Sequence, residues 1–326
     1  MLIAVNFHYI REQFDLPYPS IFGITLEAFQ RQLETLGKWG SFVSQHDIVQ
    51  SLQGKSSLPE RAFVITFDDG LKEQYELALP ILKKMGIPAI FFVNPRVFEE
   101  EHVLGVHKIH QLRSVVAPAV LMEKTEAYLR AKNRGHELGT YQNKAVNHYR
   151  YDKAEIAKLK YLLNFVLNIS ERQELIDSAF LETFGTERRV NRSLYMEMEH
   201  LKELHLLGLL GSHSYEHFPI GTLEFKDQEI QVRRSQEFFK RELGAALSSF
   251  SYPYGAYEAC EGLEGLLKEN EFQFGFTMER AINTDLQNPF YLSRFDNNDL
   301  PLGKAWKGPI ENPFHVLPAA KWKFSS

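Results

Sequence analysis

The sequence predicts an α/β barrel of parallel strands and helices, and three observations carry that expectation. Short apolar runs alternate with helical patterns at both ends of the chain. Where a helical pattern separates two such runs, as between Phe63 and Val93, the strands pair in parallel through a right-handed crossover. Chemistry-bearing residues recur where the apolar runs stop, which is where α/β barrels place their active sites. A chain of 326 residues fits one large domain of this class, so the expectation is a single domain over 1–326 with a helical insertion at about 96–195.

Leu2–Phe7 reads as the first strand. Thr25 then caps a helix in which Leu26, Phe29, Leu33 and Leu36 repeat at helical spacing before Gly37. Ser41–Leu52 carries mixed signals, and Gln53–Pro59 is a polar loop. Phe63–Phe67 is the next strand and leads into a helix over Lys72–Met85. Pro80 bends or restarts that helix, because proline has no backbone N–H to donate, and Gly86 ends it. Pro88–Val93 is another buried strand.

From about Arg96 to Tyr195 the alternation lapses. Two helix starts stand out there, Asp152 with Glu155 and Ser170 with Gln173, each an N-cap residue with an acid or amide three positions on. The block holds His102, His107, His110, His136 and His148, of which His107 and His110 would share one helix face. Scattered histidines of this kind are ordinarily surface or satisfied core residues. The alternation resumes with helix Glu197–Leu207, strand Leu209–Ser212, helix Lys226–Leu243 before Gly244, strand Leu247–Tyr252 and helix Gly262–Lys268. Phe272–Thr277 and Phe290–Phe295 are the last strand candidates.

Composition narrows the function. With 44% hydrophobic and 24% charged residues the chain is ordinary globular material, and a formal charge of −5 offers no basic field for nucleic acid. Cys260 is the only cysteine, which excludes an internal disulfide and a multi-thiolate metal site and fits a reducing compartment. His8, Arg11, Glu12 and Asp15 interrupt the apolar start before a signal-peptide core is complete, and no run approaches a transmembrane helix. A cytoplasmic location is therefore expected. The glycosylation triplets at Asn168 and Asn191 mean nothing without secretion.

Phe63–Gly70 is where chemistry is expected first. Its apolar run stops at Asp68 and Asp69, two adjacent carboxylates that repel unless a cation or proton holds them. Successive strand side chains face opposite ways, so the pair shares a pocket only if the backbone turns, as Gly70 permits. An acidic turn capping the next helix is the bland alternative. Beyond Ser212, His213 and His217 are four apart, and in a helical turn both imidazoles would fall on one side and grip one ion. Two histidines and a carboxylate leave coordination positions open for water and substrate, and Asp69 is the obvious carboxylate.

Thr66-Phe67-Asp68-Asp69-Gly70, His213-Ser214-Tyr215-Glu216-His217 and Ser251-Tyr252-Pro253-Tyr254-Gly255, in this order, resemble the three motifs of the polysaccharide deacetylase family, carbohydrate esterases related to the NodB chitooligosaccharide deacetylase. The resemblance covers roughly Leu2–Gly86 and Glu197–Phe295 and leaves the helical insertion outside. It implies a distorted (β/α) barrel of the NodB type that uses a divalent ion, often zinc, to hydrolyse an N-acyl group on a sugar. Carried over position by position, Asp69, His213 and His217 bind the metal, Asp68 is the general base, and the backbone N–H of Tyr254 stabilises the oxyanion.

The chain departs from the family pattern twice. Many members carry an arginine, paired with the base, where Ser251 stands; Arg294, ending the Phe290–Phe295 run, is the candidate replacement. The late Leu-x-His motif, whose histidine protonates the leaving amine, has no match. His315, the sole histidine after His217, and the insertion histidines are the candidates for that role. Asp296, Asn297, Asn298 and Asp299 form a turn or bind sugar hydroxyls. The expected activity is metal-dependent removal of an N-acyl, most simply N-acetyl, group from an amino sugar or glycan precursor. Hydrolysis of a non-sugar amide or imide, and silent glycan binding without turnover, stand as alternatives. The insertion is expected to shape the pocket.

Overall fold

The computed structural model describes every residue except 19, 140, 149–153, 311–312 and 325–326, with backbone alone at 139, 148, 164 and 313. The expected Asp152 cap lies outside the described residues. Two compact units are present. Met1–Gln13, Gly23–His102 and Asn191–Ser326 make one, and Phe14–Phe22 with Val103–Val190 makes the other.

The first unit is built on eight strands: β1 (Leu2–Phe7), β2 (Ser41–Phe42), β3 (Ala62–Phe67), β4 (Ala89–Val93), β5 (Leu210–Ser212), β6 (Ser249–Ser251), β7 (Phe274–Phe276) and β8 (Arg294–Asp296). Their order is β8-β1-β3-β4-β5-β6-β7, all parallel, with β2 paired beside the start of β3. A parallel bridge from Phe276 to Leu292 brings the two ends together, so the sheet is a nearly closed barrel. Every residue of β1, β3 and β4 is buried, as a parallel sheet covered on both faces requires.

Strand parity sorts the core into two layers. Ile3, Val5, Phe7, Ile65, Phe67 and Phe91 pack outward, in one cluster with Phe29, Leu33, Leu201 and Leu204 of the surrounding helices. Leu2, Ala4, Val64, Ile90, Phe92 and Phe276 form the inner cluster. Gly211 shares that inner parity, and a Cβ there would strike the Phe92 ring and Ser249 Oγ, so the barrel closes only around a glycine. Following the inner rows toward the C-terminal strand ends, the residues become Asn6, Thr66, Asp68, Asn94, His213, Ser251 and Arg294, all buried. An apolar plug below and a polar ring above is the physical frame of the site.

Several boundaries differ from expectation. The Lys72–Met85 segment is a π-helical turn at Gln74–Ala78 followed by an α-helix at Leu79–Met85, with Pro80 in its first turn, where the missing N–H leaves no bond unmade. Only Arg294–Asp296 of the Phe290–Phe295 run pairs with β1. Pro289–Tyr291 is instead a 3₁₀ turn closed by Tyr291 N–H on Asn288 O at 3.0 Å. The expected strands Leu247–Tyr252 and Phe272–Thr277 are three residues each.

The second unit is helical, with Gly105–Val115, Pro118–Ala131, Ala154–Tyr161 and Ile169–Phe184 among its elements. The last of these is capped by Asn168 rather than Ser170. Asn168 is extended, accepts the Glu171 N–H at 2.9 Å, and receives the Glu171 carboxylate on its own N–H at 3.1 Å. Leu112, Leu121, Leu159, Leu175 and Ile176 fill its core. Lys108 is buried there between Asp177 and Glu187, 2.7 Å from each. No helix among the described residues is long and apolar enough to cross a membrane.

Candidate active site

The β3 strand keeps its ladder one residue past Phe67, since the Asp68 N–H donates to Phe7 O at 3.2 Å. The turn begins at Asp69 itself, with φ of +79°, and continues through Gly70 at +65°. Two successive left-handed residues bring the second carboxylate round to the side of the first. An L-residue held this way is strained, and such strain collects at functional sites. A side chain at position 70 would also press on Val93, whose Cγ1 would lie 3.0 Å from its Cβ.

His213 and His217 meet Asp69, but not on a helix. The segment after β5 is an irregular turn with Ser214 at φ +61° and His217 at +60°. The Ser214 hydroxyl closes it by accepting the His217 N–H at 3.2 Å. Asn94 Nδ2 donates to the carbonyls of His213 and Ser214, and the His213 N–H donates to Val93 O at 2.9 Å. The two Nε2 atoms stand 3.5 and 3.2 Å from Asp69 Oδ1. Two ligand atoms each ~2.1 Å from a shared ion at a tetrahedral angle lie ~3.4 Å apart, so these spacings fit a common ion.

The donor chemistry fits as well. His213 Nδ1 is 2.7 Å from Ser251 O, which can only accept, so this nitrogen carries a proton and Nε2, facing Asp69, is the atom left for a metal. Among the described residues Asp69, His213 and His217 are the one group of three or more such donors arranged to hold a metal ion. Among the described residues, none of His102, His107, His110 and His136 belongs to such a group.

Asp68 is organised for a different task. Arg294, with no exposed surface, grips it through two parallel bonds, Nη1 to Oδ1 at 2.9 Å and Nη2 to Oδ2 at 2.7 Å. Asn6 Nδ2 adds a bond to Oδ2 at 2.9 Å. Burial alone would push this carboxyl up; the Arg294 charge, then His213, the Arg294 hydrogen bonds and His8, outweigh it and hold the pKa at about 2. Arg294 is itself bonded to Thr66 Oγ1 at 3.2 Å and Ser251 Oγ at 2.9 Å. Its guanidinium carbon lies 5.9 and 6.0 Å from the Phe92 and Phe276 rings that top the apolar plug.

Tyr254 follows β6 with φ of +63° and 51% of its surface exposed, its ring edge-on to His217 with centroids 5.0 Å apart. His315 stands elsewhere: its neighbour Phe314 packs on Phe63 and Arg61, at the opposite end of β3 from Asp68. Sequence reasoning missed His8. It follows β1 directly, one step beyond the Phe7–Phe67 pair, close enough for its charge to act on Asp68. Gln74 Nε2 ties the two strand ends, donating to His8 O at 3.1 Å and Asp68 O at 2.6 Å. Polar Asn6 and His8 at the end of an otherwise apolar strand were the available signal. Cavities of about 360 and 470 Å³ share Asn283, Thr284 and Asp285, beside the start of β1, and contain none of these site residues.

Residues 55–180 match the family model for polysaccharide deacetylase, a span that includes Asp68 and Asp69. Over that span the chain is similar to the polysaccharide deacetylase family. The fold of this chain is similar to that of IcaB from Ammonifex degensii, at TM-score 0.53 and 19% identity over 90% of this chain and 91% of that one. It is similar also to the Streptococcus pyogenes deacetylase PplD, solved with acetate, at 0.52 and 14% over 90% and 91%. A third similar structure is the BpsB deacetylase domain from Bordetella bronchiseptica, at 0.51 and 15% over 90% and 94%. No curated protein matches by sequence.

Proposed function

We propose that this protein is a metal-dependent hydrolase that removes an N-acyl group, most simply acetyl, from an amino sugar or glycan precursor, with zinc as its ion. The observation that carries the reading is the Asp69–His213–His217 donor group, buried at Asp69 and His213 and half-buried at His217, beside a second carboxylate, Asp68, kept ionised by Arg294. Similarity of residues 55–180 to the polysaccharide deacetylase family supports the substrate class.

Asp69, His213 and His217 would hold the ion, which would polarise the amide carbonyl and make a water acidic enough to ionise near neutral pH. The remaining roles fall to the chain. Asp68, held ionised by Arg294, accepts the proton of the attacking water. Arg294 and Asn6 fix its orientation. The Tyr254 N–H, presented by the left-handed turn, holds the carbonyl oxygen as it gains charge. His8, next along from Asp68 at the strand ends, gives its proton to the departing amine. Silent glycan binding was motivated by a missing acid and a missing arginine, and Arg294 on Asp68 removes the second of these motives.

The test is incubation of purified, zinc-loaded protein with a panel of N-acetylhexosamine conjugates, with acetate as the readout. Release that a chelator abolishes and zinc restores supports the proposal, and product analysis separates sugar from non-sugar amides. No release across the panel, with zinc measured in the protein, overturns it. A single domain over 1–326 with a helical insertion at about 96–195, and a cytoplasmic location, belong to the same proposal. Normal turnover by a barrel lacking 103–190, or recovery of the protein from another cell fraction, would remove those parts.

A further inference from the structure

Tyr215 lies between the two histidines of the site and points away from them into a charged clamp. Only 2% of it is exposed, yet its hydroxyl is surrounded by ionic groups. It donates toward Glu99 Oε2 at 2.8 Å, with Glu100 Oε1 3.1 Å away as a second acceptor, and accepts from Arg234 Nη2 at 2.6 Å. The Arg234 guanidinium also covers the ring, 3.8 Å from its centroid. Arg241 reaches Glu99 at 2.5 Å, and Arg96 bonds both Glu100, at 2.8 Å, and Glu216. The Arg96 N–H meets Tyr215 O at 3.2 Å. Helices Arg96–Glu99 and Phe225–Leu243 thus hold the middle of the His213–His217 turn from outside.

We propose that Tyr215, clamped by Glu99 and Arg234, is a positioning residue that sets the two histidines for metal binding. The inference rests on the metal reading above. Ser214 and His217 are both left-handed, a conformation that costs free energy unless surrounding contacts enforce it. Inside the barrel Asn94 restrains the carbonyls of His213 and Ser214. The far half of the turn is held by the Glu216 N–H on Gln231 Oε1 at 2.9 Å, by the His217 N–H on Ser214 Oγ at 3.2 Å and, from the helix side, by the Tyr215 ring and hydroxyl. Loss of the hydroxyl frees the turn to relax and moves His217 off the common point. The single O–H of Tyr215 is donated to Glu99, the nearer acid, with Glu100 as its alternative acceptor.

The test titrates chelator-stripped protein with zinc alone by calorimetry. Groups that orient metal ligands typically contribute 10–100-fold in affinity, so Tyr215→Phe should weaken zinc binding about tenfold, and Glu99→Gln, at a partly exposed position, should weaken it several-fold with folding intact. Amide exchange in the metal-free protein should speed up across Ser214–His217 in Tyr215→Phe and stay unchanged in β1 and β3. If Tyr215→Phe and Glu99→Gln bind zinc as wild type does, the clamp is packing only and the inference falls. Asp69→Asn separates the two failures. If it keeps wild-type affinity, or if wild type binds no zinc, the metal reading fails and takes this inference with it.

Discussion

Arg294 offers the sharpest test of how the site is held together. Arg294→Met keeps a side chain of similar length between Phe92 and Phe276 and deletes the guanidinium. Asp68, with 4% of its side chain exposed, then keeps only the Asn6 bond to its charge. Removing one partner of a buried pair typically costs about 3–5 kcal/mol, because the other charge stays desolvated. Asp68→Asn/Arg294→Met removes both charges and should cost less than Arg294→Met alone, leaving a coupling of about 2 kcal/mol in the double-mutant cycle. Urea unfolding of metal-stripped protein measures it. The three tryptophans, Trp39, Trp306 and Trp322, all lie in the barrel unit, so their fluorescence follows that unit alone. Costs that add to within about 0.5 kcal/mol would refute the coupling and with it the account of why Asp68 stays ionised.

The other predictions probe the ion, the acid and a helix start. Asp69→Asn and His213→Ala should each lose bound zinc, read by elemental analysis, while Asp68→Asn retains it and loses turnover. His8→Asn should lower kcat by about 10²–10³-fold with zinc content unchanged, the usual range for a general acid, and unaltered kcat would return that role to another residue. Ser44 caps the helix Gln45–Leu52, and its backbone N–H and then its hydroxyl hold the Asp47 carboxyl below the usual range. A depressed carboxyl stabilises the fold above its unfolded pKa of about 4 and loses that contribution as pH falls through the folded value. Ser44→Ala should therefore cost about 0.5–1 kcal/mol at pH 7 and less near pH 3, by urea midpoints.

What could be read from the sequence followed from strand parity and turn residues. The apolar runs of β1, β3 and β4 were legible because burial on both faces leaves little else possible for them. That Asp68 and Asp69 end their strand in a buried polar cluster was legible because two carboxylates ending such a run need a reason. The His213–His217 spacing pointed to one ion for the wrong geometric reason: the rings converge through two left-handed residues, which no helical period encodes. The three-residue strands were overextended, since Phe290 and Tyr291 are apolar for packing beneath a 3₁₀ turn and not for pairing. His8 was passed over because it abuts a strand read only for its apolar residues, and its neighbourhood with Asp68 exists only once β1 and β3 are in register.

Ser251 and Arg294 together turn the family resemblance into a last prediction. The inner rows of a closed barrel converge, so a guanidinium rooted on β6 or on β8 can reach the same carboxylate. Here Arg294 comes from β8, and the small Ser251 side chain on β6 leaves it room and accepts one of its N–H bonds at 2.9 Å. The Ser251 carbonyl, which fixes the His213 ring, is backbone and does not depend on the side chain. Exchanging the two, Ser251→Arg with Arg294→Ser, should restore the partner of Asp68 and recover about 2 kcal/mol over Arg294→Ser alone, along with much of its turnover. Ser251→Arg by itself should destabilise by about 1–3 kcal/mol, because it overfills a packed interior and sets two cations on one carboxylate. Urea midpoints of the four proteins decide it. If the exchanged variant is no more stable than Arg294→Ser, position on the strand matters beyond the charge it delivers, and the two arginine placements are not equivalent.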